Sequence, residues 1–143
     1  MEPPSGPWSA TPLPVNHELT SLRGFRGDRD FFPEIVVALV PTTDPTSLAP
    51  HLRYGDWNDC PSPAVHAAMA RRWSQAYGAT PVVFAGDVVE YRVARPVATQ
   101  EQAIELALEQ YAYCPDIVLQ GTETVERLAA EILVAQYWFF WWD

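Results

Sequence analysis

The chain ends Tyr137-Trp138-Phe139-Phe140-Trp141-Trp142, six aromatic residues in a row. A run this short and this bulky reads as a strand. Successive side chains of a strand alternate between faces, so large rings fall on both sides of whatever sheet contains it. An exposed row such as Trp138, Phe140 and Trp142 exceeds the few hundred Å² of apolar patch that a soluble monomer ordinarily leaves uncovered. Both faces of the strand are therefore expected to be covered. The candidate covers are the N-terminal residues Trp8, Phe25, Phe31 and Phe32, the long connection before Pro61, or a second copy in a homodimer through the sheet face. Six aromatics could also stack bases or a flat ligand, but strand core is the simpler expectation.

A chain of 143 residues suits one domain, and a hydrophobic fraction of 48% is enough to build its core. Five prolines fall within the first fourteen residues, and Arg23 to Asp30 alternates in charge. Residues 1–33 accordingly read as a Pro-rich arm and 34–143 as the domain. The net charge is −9, and Arg71-Arg72 is the only adjacent basic pair. That disfavours nucleic acid as a partner, because phosphate neutralisation needs clustered cations. From Thr99 onward eight acids face one arginine, Arg127, which reads as a solvated acidic helix face. All nine basic residues are arginine, a hint of a GC-rich bacterial genome. The first residues lack a signal peptide's basic head and apolar core. No apolar run approaches the ~20 residues that span a bilayer. A cytoplasmic protein with reduced cysteines and no membrane partner is expected.

Local signals place the elements. Ile35-Val36-Val37-Ala38-Leu39-Val40, closed by Pro41, reads as a strand buried on both faces. Thr42 to Pro61 is a long irregular connection. Ser62 and Pro63 start a helix with Val65, Met69, Trp73 and Ala76 as its core stripe, and Gly78 ends it. Gly86-Asp87 joins two strands, Val82–Ala85 and Val88–Val93, as a two-residue hairpin. Thr99-Gln100-Glu101-Gln102 is a capping box for a helix to about Tyr113, which Pro115 stops. A further helix is expected from about Thr122 to Ala135. The order β-α-β-β-α-α-β predicts an α+β fold with a four-stranded antiparallel or mixed sheet. That is a split βαβ, ferredoxin-like arrangement with one extra helix.

Chemistry-bearing residues cluster around two Cys-Pro turns. Cys60 lies two residues before the helix at Pro63, where backbone N–H groups could lower a thiol pKa, and His66 sits on that helix's first turn. The plainer expectation is a small buried cysteine beside a helix histidine. Cys60, His66, Cys114 and Asp116 are ligand types, but their spacing lacks a zinc signature, so no metal or other cofactor is assigned. Glu90 is mid-strand and could pair with Arg92. It could instead face Glu109 across a cleft, where crowding raises one pKa for acid/base work. Glu101, Glu105 and Glu109 form a row along one helix side. Candidate catalytic residues are therefore Cys60, His66, Glu90 and Glu109. Candidate binding residues are Trp57, Asn58, Cys60, Glu90, Glu109, Tyr113, Cys114, Asp116 and Gln120. No phosphate loop, serine elbow or dinucleotide fingerprint is present.

Certain segments stand out together: His51-Leu52-Arg53-Tyr54-Gly55-Asp56-Trp57-Asn58-Asp59-Cys60-Pro61, Arg72-Trp73, Tyr77-Gly78-Ala79 and Asp87-Val88-Val89-Glu90. Glu109-Gln110-Tyr111-Ala112-Tyr113-Cys114-Pro115-Asp116, Gln120-Gly121 and Trp138-Phe139-Phe140-Trp141-Trp142-Asp143 complete the set. Through these the chain resembles, over about residues 51–143, the bacterial domain of unknown function 4253 family. The resemblance implies that the polar positions belong to one group; it supplies no activity. The expectation is one polar pocket at a sheet edge, formed by residues 51–61 and 109–121. It would serve a small binding or interaction module of accessory or immunity type, with an unknown ligand or protein partner. The alternative is a small enzyme using a thiol or carboxylate, with or without a metal, around Cys60, Glu90, Glu109 and Cys114.

Overall fold

Helix and turn chemistry sets the framework. In the computed structural model, which describes residues 2–8, 18–21 and 34–143, Ser62 caps the helix α2 (Pro63–Tyr77) by accepting a hydrogen bond from the Val65 N–H, and Gly78 closes it at φ 61°. A short 3-10 turn at Pro45–Ser47 and a five-residue helix α1 (Leu48–Leu52) break up the connection read as irregular. Thr99 caps α3 (Gln100–Tyr113) through the Gln102 N–H, while the Gln102 side chain reaches back to the Ala98 N–H. A π-helical turn, Ile117–Thr122, precedes α4 (Val125–Ile132), which Thr124 caps. That last helix is shorter than expected at both ends, beginning only after its Thr124 cap and ending where Leu133 turns extended.

The strands β1 (Ala79–Ala85) and β2 (Val88–Val93) flank Gly86-Asp87 as a hairpin, and β3 (Tyr137–Trp141) pairs antiparallel with β2. Among the described residues the sheet therefore has three strands in the order β1-β2-β3, all antiparallel. The expected four-stranded, ferredoxin-like sheet is not what forms. Residues 35–40 are not a strand: Val36, Val37 and Leu39 are 92%, 83% and 98% exposed. The run has strand propensity, but pairing needs an edge that offers donors and acceptors in register. The β1 edge is interrupted by Pro81, which has no N–H, and by a bulge between Pro81 and Val83.

Packing centres on Trp73, which is fully buried in the face of the sheet covered by α2 and α3. Its ring stacks on Phe140 at 5.3 Å between centroids and meets Tyr91, Tyr113 and Trp138 edge-on. The inward stripe of α2 is His66, Ala70 and Trp73; of the expected stripe Trp73 is buried and Met69 packs against the core, whereas Val65 is 45% exposed and Ala76 is exposed. An apolar residue was displaced outward in favour of a histidine that finds partners inside.

The second face of the sheet is met in part by the N-terminal residues. The backbone N–H groups of Thr20 and Ser21 donate to Glu90 Oε1 at 2.7 and 3.0 Å. Further upstream, the Val125 N–H at the open end of α4 donates to the Pro4 carbonyl, and the Gly6 N–H donates to Glu126 Oε2 at 2.8 Å. The arm thus satisfies a helix N–H that has no partner within its own helix, and Trp8 packs against the core. Phe25, Phe31 and Phe32 lie outside the described residues.

Candidate functional site

The segment between α1 and α2 reverses sharply to bring Cys60 back against α2. Arg53, Asp56 and Asn58 have φ of 53°, 65° and 43°, and Gly55 has φ 115°. Aspartate and asparagine tolerate the left-handed region better than most residues, which is why this loop closes with so few glycines. Gly55 admits no substitute: a Cβ there would stand 2.1 Å from the Pro61 carbonyl oxygen and 3.1 Å from the His66 ring. The Asp56 N–H donates to that same carbonyl, and the Cys60 N–H donates to Trp57 O.

Cys60 and His66 do meet. Cys60 Sγ lies 3.4 Å from His66 Nε2, and His66 Nδ1 lies 2.6 Å from the Tyr113 hydroxyl. The imidazole is boxed edge-on by Tyr54, Tyr113 and Trp142. Cys60 is 5% exposed and His66 1%. Burial, aided by the charge of Asp56, pushes the Cys60 thiol up to about 12. Burial likewise pushes His66 down to about 4, against the opposing pull of the Pro61 backbone and Asp56. In this closed arrangement both groups are neutral at pH 7, and transfer of the thiol proton to the imidazole is strongly uphill. The thiol is buried and its pKa raised, in line with the plainer expectation of a buried cysteine, because desolvation is the largest influence on it.

The other expected site residues go to separate places. The Cys114 thiol donates to the Trp141 carbonyl at 3.0 Å, and burial pushes it up to about 12. Asp116 accepts from the Gln120 side chain and from the Asp143 N–H, which ties the chain end to the π turn. Glu109 does not face Glu90. It binds Arg72 through both oxygens, at 2.6 and 2.8 Å, and accepts from the Trp73 indole N–H at 2.7 Å. Glu90 is 1% exposed and bound by the arm, not by Arg92, which is exposed. Trp57 packs edge-on against Tyr54, while Asn58 and Gln120 are exposed. Among the described residues no three His, Cys, Asp or Glu side chains are placed to hold a metal ion.

A second feature lies beside β3. A cleft of about 360 Å³ is lined by Gln110 of α3, Ile117 and Gly121 of the π turn, Leu128 and Glu131 of α4, and residues of β3 including Phe139 and Trp141; Thr20 of the arm also lines it. Gln110 is 1% exposed, and its Nε2 has no hydrogen-bond partner among the described residues. Glu131 is exposed, but the protein packed around its carboxyl partly desolvates it and raises it above its ordinary value, opposed by Arg127. Neither Gln110 nor Glu131 was singled out from the sequence. The signal was there for Gln110. It continues the Ala103, Leu106, Ala107 stripe of α3, an amide on a core-facing row.

The molecule is thus an α+β domain with a three-stranded antiparallel sheet, a closed thiol–imidazole–phenol chain and a separate cleft at β3. A family profile described as "Domain of unknown function (DUF4253)" matches residues 36–143, and the chain belongs to that family. A search of curated proteins and a search of solved structures each returned no match. Among the described residues no helix is long and apolar enough to cross a membrane.

The buried imidazole sets an acid limit on stability. The unfolded chain takes up a proton at His66 as pH falls below about 6.5, whereas the folded chain resists until about 4. Stability from this group is therefore fully present above 6.5 and is lost as pH falls through that window, by on the order of 3 kcal/mol at its lower end. Glu131, whose folded pKa is raised, offsets part of this loss. Urea denaturation at pH 7 and pH 4.5 should show the loss in the native chain, and His66→Gln should flatten that limb.

Proposed function

We propose that this domain is a small-molecule-binding module and that the cleft beside β3 is its site. The observation that carries the reading is Gln110, buried in the wall of the cleft with an unused amide donor among the described residues. A buried donor without a partner costs about 1–3 kcal/mol. A ligand acceptor would remove that cost. The volume falls within the range of small-molecule pockets, about 300–1,000 Å³. Gln110, Gly121, Phe139 and Trp141 all lie within residues 36–143, the span of the family match. This reading narrows the accessory or immunity-type module expected from the sequence to one that responds to a small ligand.

Gly121 gives the direct test. It is not in the left-handed region, and a Cβ there would meet only the Asp116 carbonyl, at an ordinary 3.7 Å. Gly121→Phe should fold with stability within about 1–2 kcal/mol of the native chain and fill the cleft. Fragments found to bind the native chain by saturation-transfer NMR should weaken at least about tenfold. Undiminished binding to a folded Gly121→Phe chain contradicts the proposal.

A second reading is favoured by one observation, the aligned Cys60–His66–Tyr113 chain, which has the nucleophile–base–orienter order of a thiol enzyme. In that reading loop 53–59 moves to expose Cys60, and on attack His66 takes the thiol proton. Iodoacetamide labelling separates the two. A structural thiol labels slowly below pH 9 at a rate unaffected by His66→Gln once stability is matched. A site thiol labels well below pH 8 and loses that reactivity in His66→Gln.

A further inference from the structure

We infer that the cleft is built for an uncharged carboxamide on an apolar body, an inference that rests on the cleft being the binding site. Three features select this class. At the inner wall, the Gln110 Nε2 calls for an acceptor oxygen. Glu131, on the exposed side of α4, borders the same cleft and offers an acceptor for an N–H. Ile117, Leu128, Ile132 and Trp141 supply apolar wall between them.

A carboxylate or phosphate would satisfy Gln110 but would meet Glu131 and a chain carrying net charge −9. An amine would suit Glu131 but would leave the Gln110 donor unpaired and place a cation against apolar walls, which costs more than burying a neutral dipole. A carboxamide brings a carbonyl acceptor and N–H donors in one neutral group. Unlike a hydroxyl, whose single oxygen would have to serve both ends, it carries the acceptor and the donors on separate atoms of one neutral group. The amide can belong to a free aromatic amide or to a short peptide segment. The chemistry at the cleft is shared, and the length of the probe separates the two.

The test uses the full chain, ¹⁵N-labelled, with the indole N–H signals of Trp138 and Trp141 as reporters and that of core Trp73 as control. The probes are benzamide, benzoate, benzylamine and N-acetylphenylalaninamide. The expected result is saturable shifts of the cleft reporters by the two amides, with benzamide binding at least about tenfold tighter than benzoate or benzylamine. Gln110→Leu should reduce amide affinity about tenfold, and Glu131→Gln should raise benzoate affinity while leaving the fold intact. Tighter binding of N-acetylphenylalaninamide than of benzamide assigns the amide to peptide; the reverse assigns it to a free amide. If benzoate or benzylamine binds as well as benzamide, or if amide affinity is unchanged in a folded Gln110→Leu chain, the amide assignment is overturned and the cleft remains a binding site. If no probe moves the cleft reporters, the cleft itself is overturned as the site.

Discussion

Everything near β3 depends on how one indole is held. Trp73 is fully buried, stacked on Phe140, and its N–H is taken by Glu109, which Arg72 grips from the same helix. Each aromatic pair adds about 0.5–1.5 kcal/mol beyond burial, and Trp73 makes four such contacts. The carboxylate does something the rings cannot. It ties α2 to α3 at a fixed rotation, since a bidentate pair and an indole bond share its two oxygens. With that rotation set, Tyr113 points at His66 and Gln110, one turn earlier on α3, falls at the cleft. Glu109 thus joins the two helices through Arg72 and Trp73.

The two polar features of the domain have opposite electrostatic character. Burial has driven the Cys60 thiol, the His66 imidazole and the Tyr113 phenol toward their neutral forms, and their hydrogen bonds run in one chain with Tyr113 at its end. Such a chain is satisfied as it stands. The cleft is the reverse: an acid at its border and an amide donor in its wall with no partner among the described residues. A satisfied network rigidifies, whereas an unsatisfied one leaves room for a ligand to contribute. The arm connects with both the sheet and the cleft, since Thr20 bonds Glu90 and also lines the cleft.

Much of this was legible where the chemistry is local. Ser62, Thr99, Gly78 and the Gly86-Asp87 hairpin act through neighbours within a few residues, and each does in the structure what its residue type implies. The meeting of Cys60 with His66 was legible as a possibility, but only the backward fold of Gly55 to Asn58 brings the two together. Legibility fails where a partner is remote. Ile35 to Val40 has the composition of a buried strand, yet composition carries no information on whether a sheet edge will receive it; here the run stays exposed inside the family match. The first turn of the α2 stripe is read as Val65 and not His66 because a histidine counts as polar until Tyr113, 47 residues away, supplies its partner. Glu90 and Glu109 were drawn together by charge alone, and their actual partners, an arm backbone and an indole, have no sequence spacing that announces them.

The central claim is that Gln110 faces a cleft held open for a ligand, and a crystal structure of the full chain tests it most directly. The account predicts an open cleft of about the volume seen here, near 360 Å³, with a bound molecule or ordered water accepting from the Gln110 amide. A cleft closed by the chain's own side chains, with that amide bonded within the protein, would contradict it.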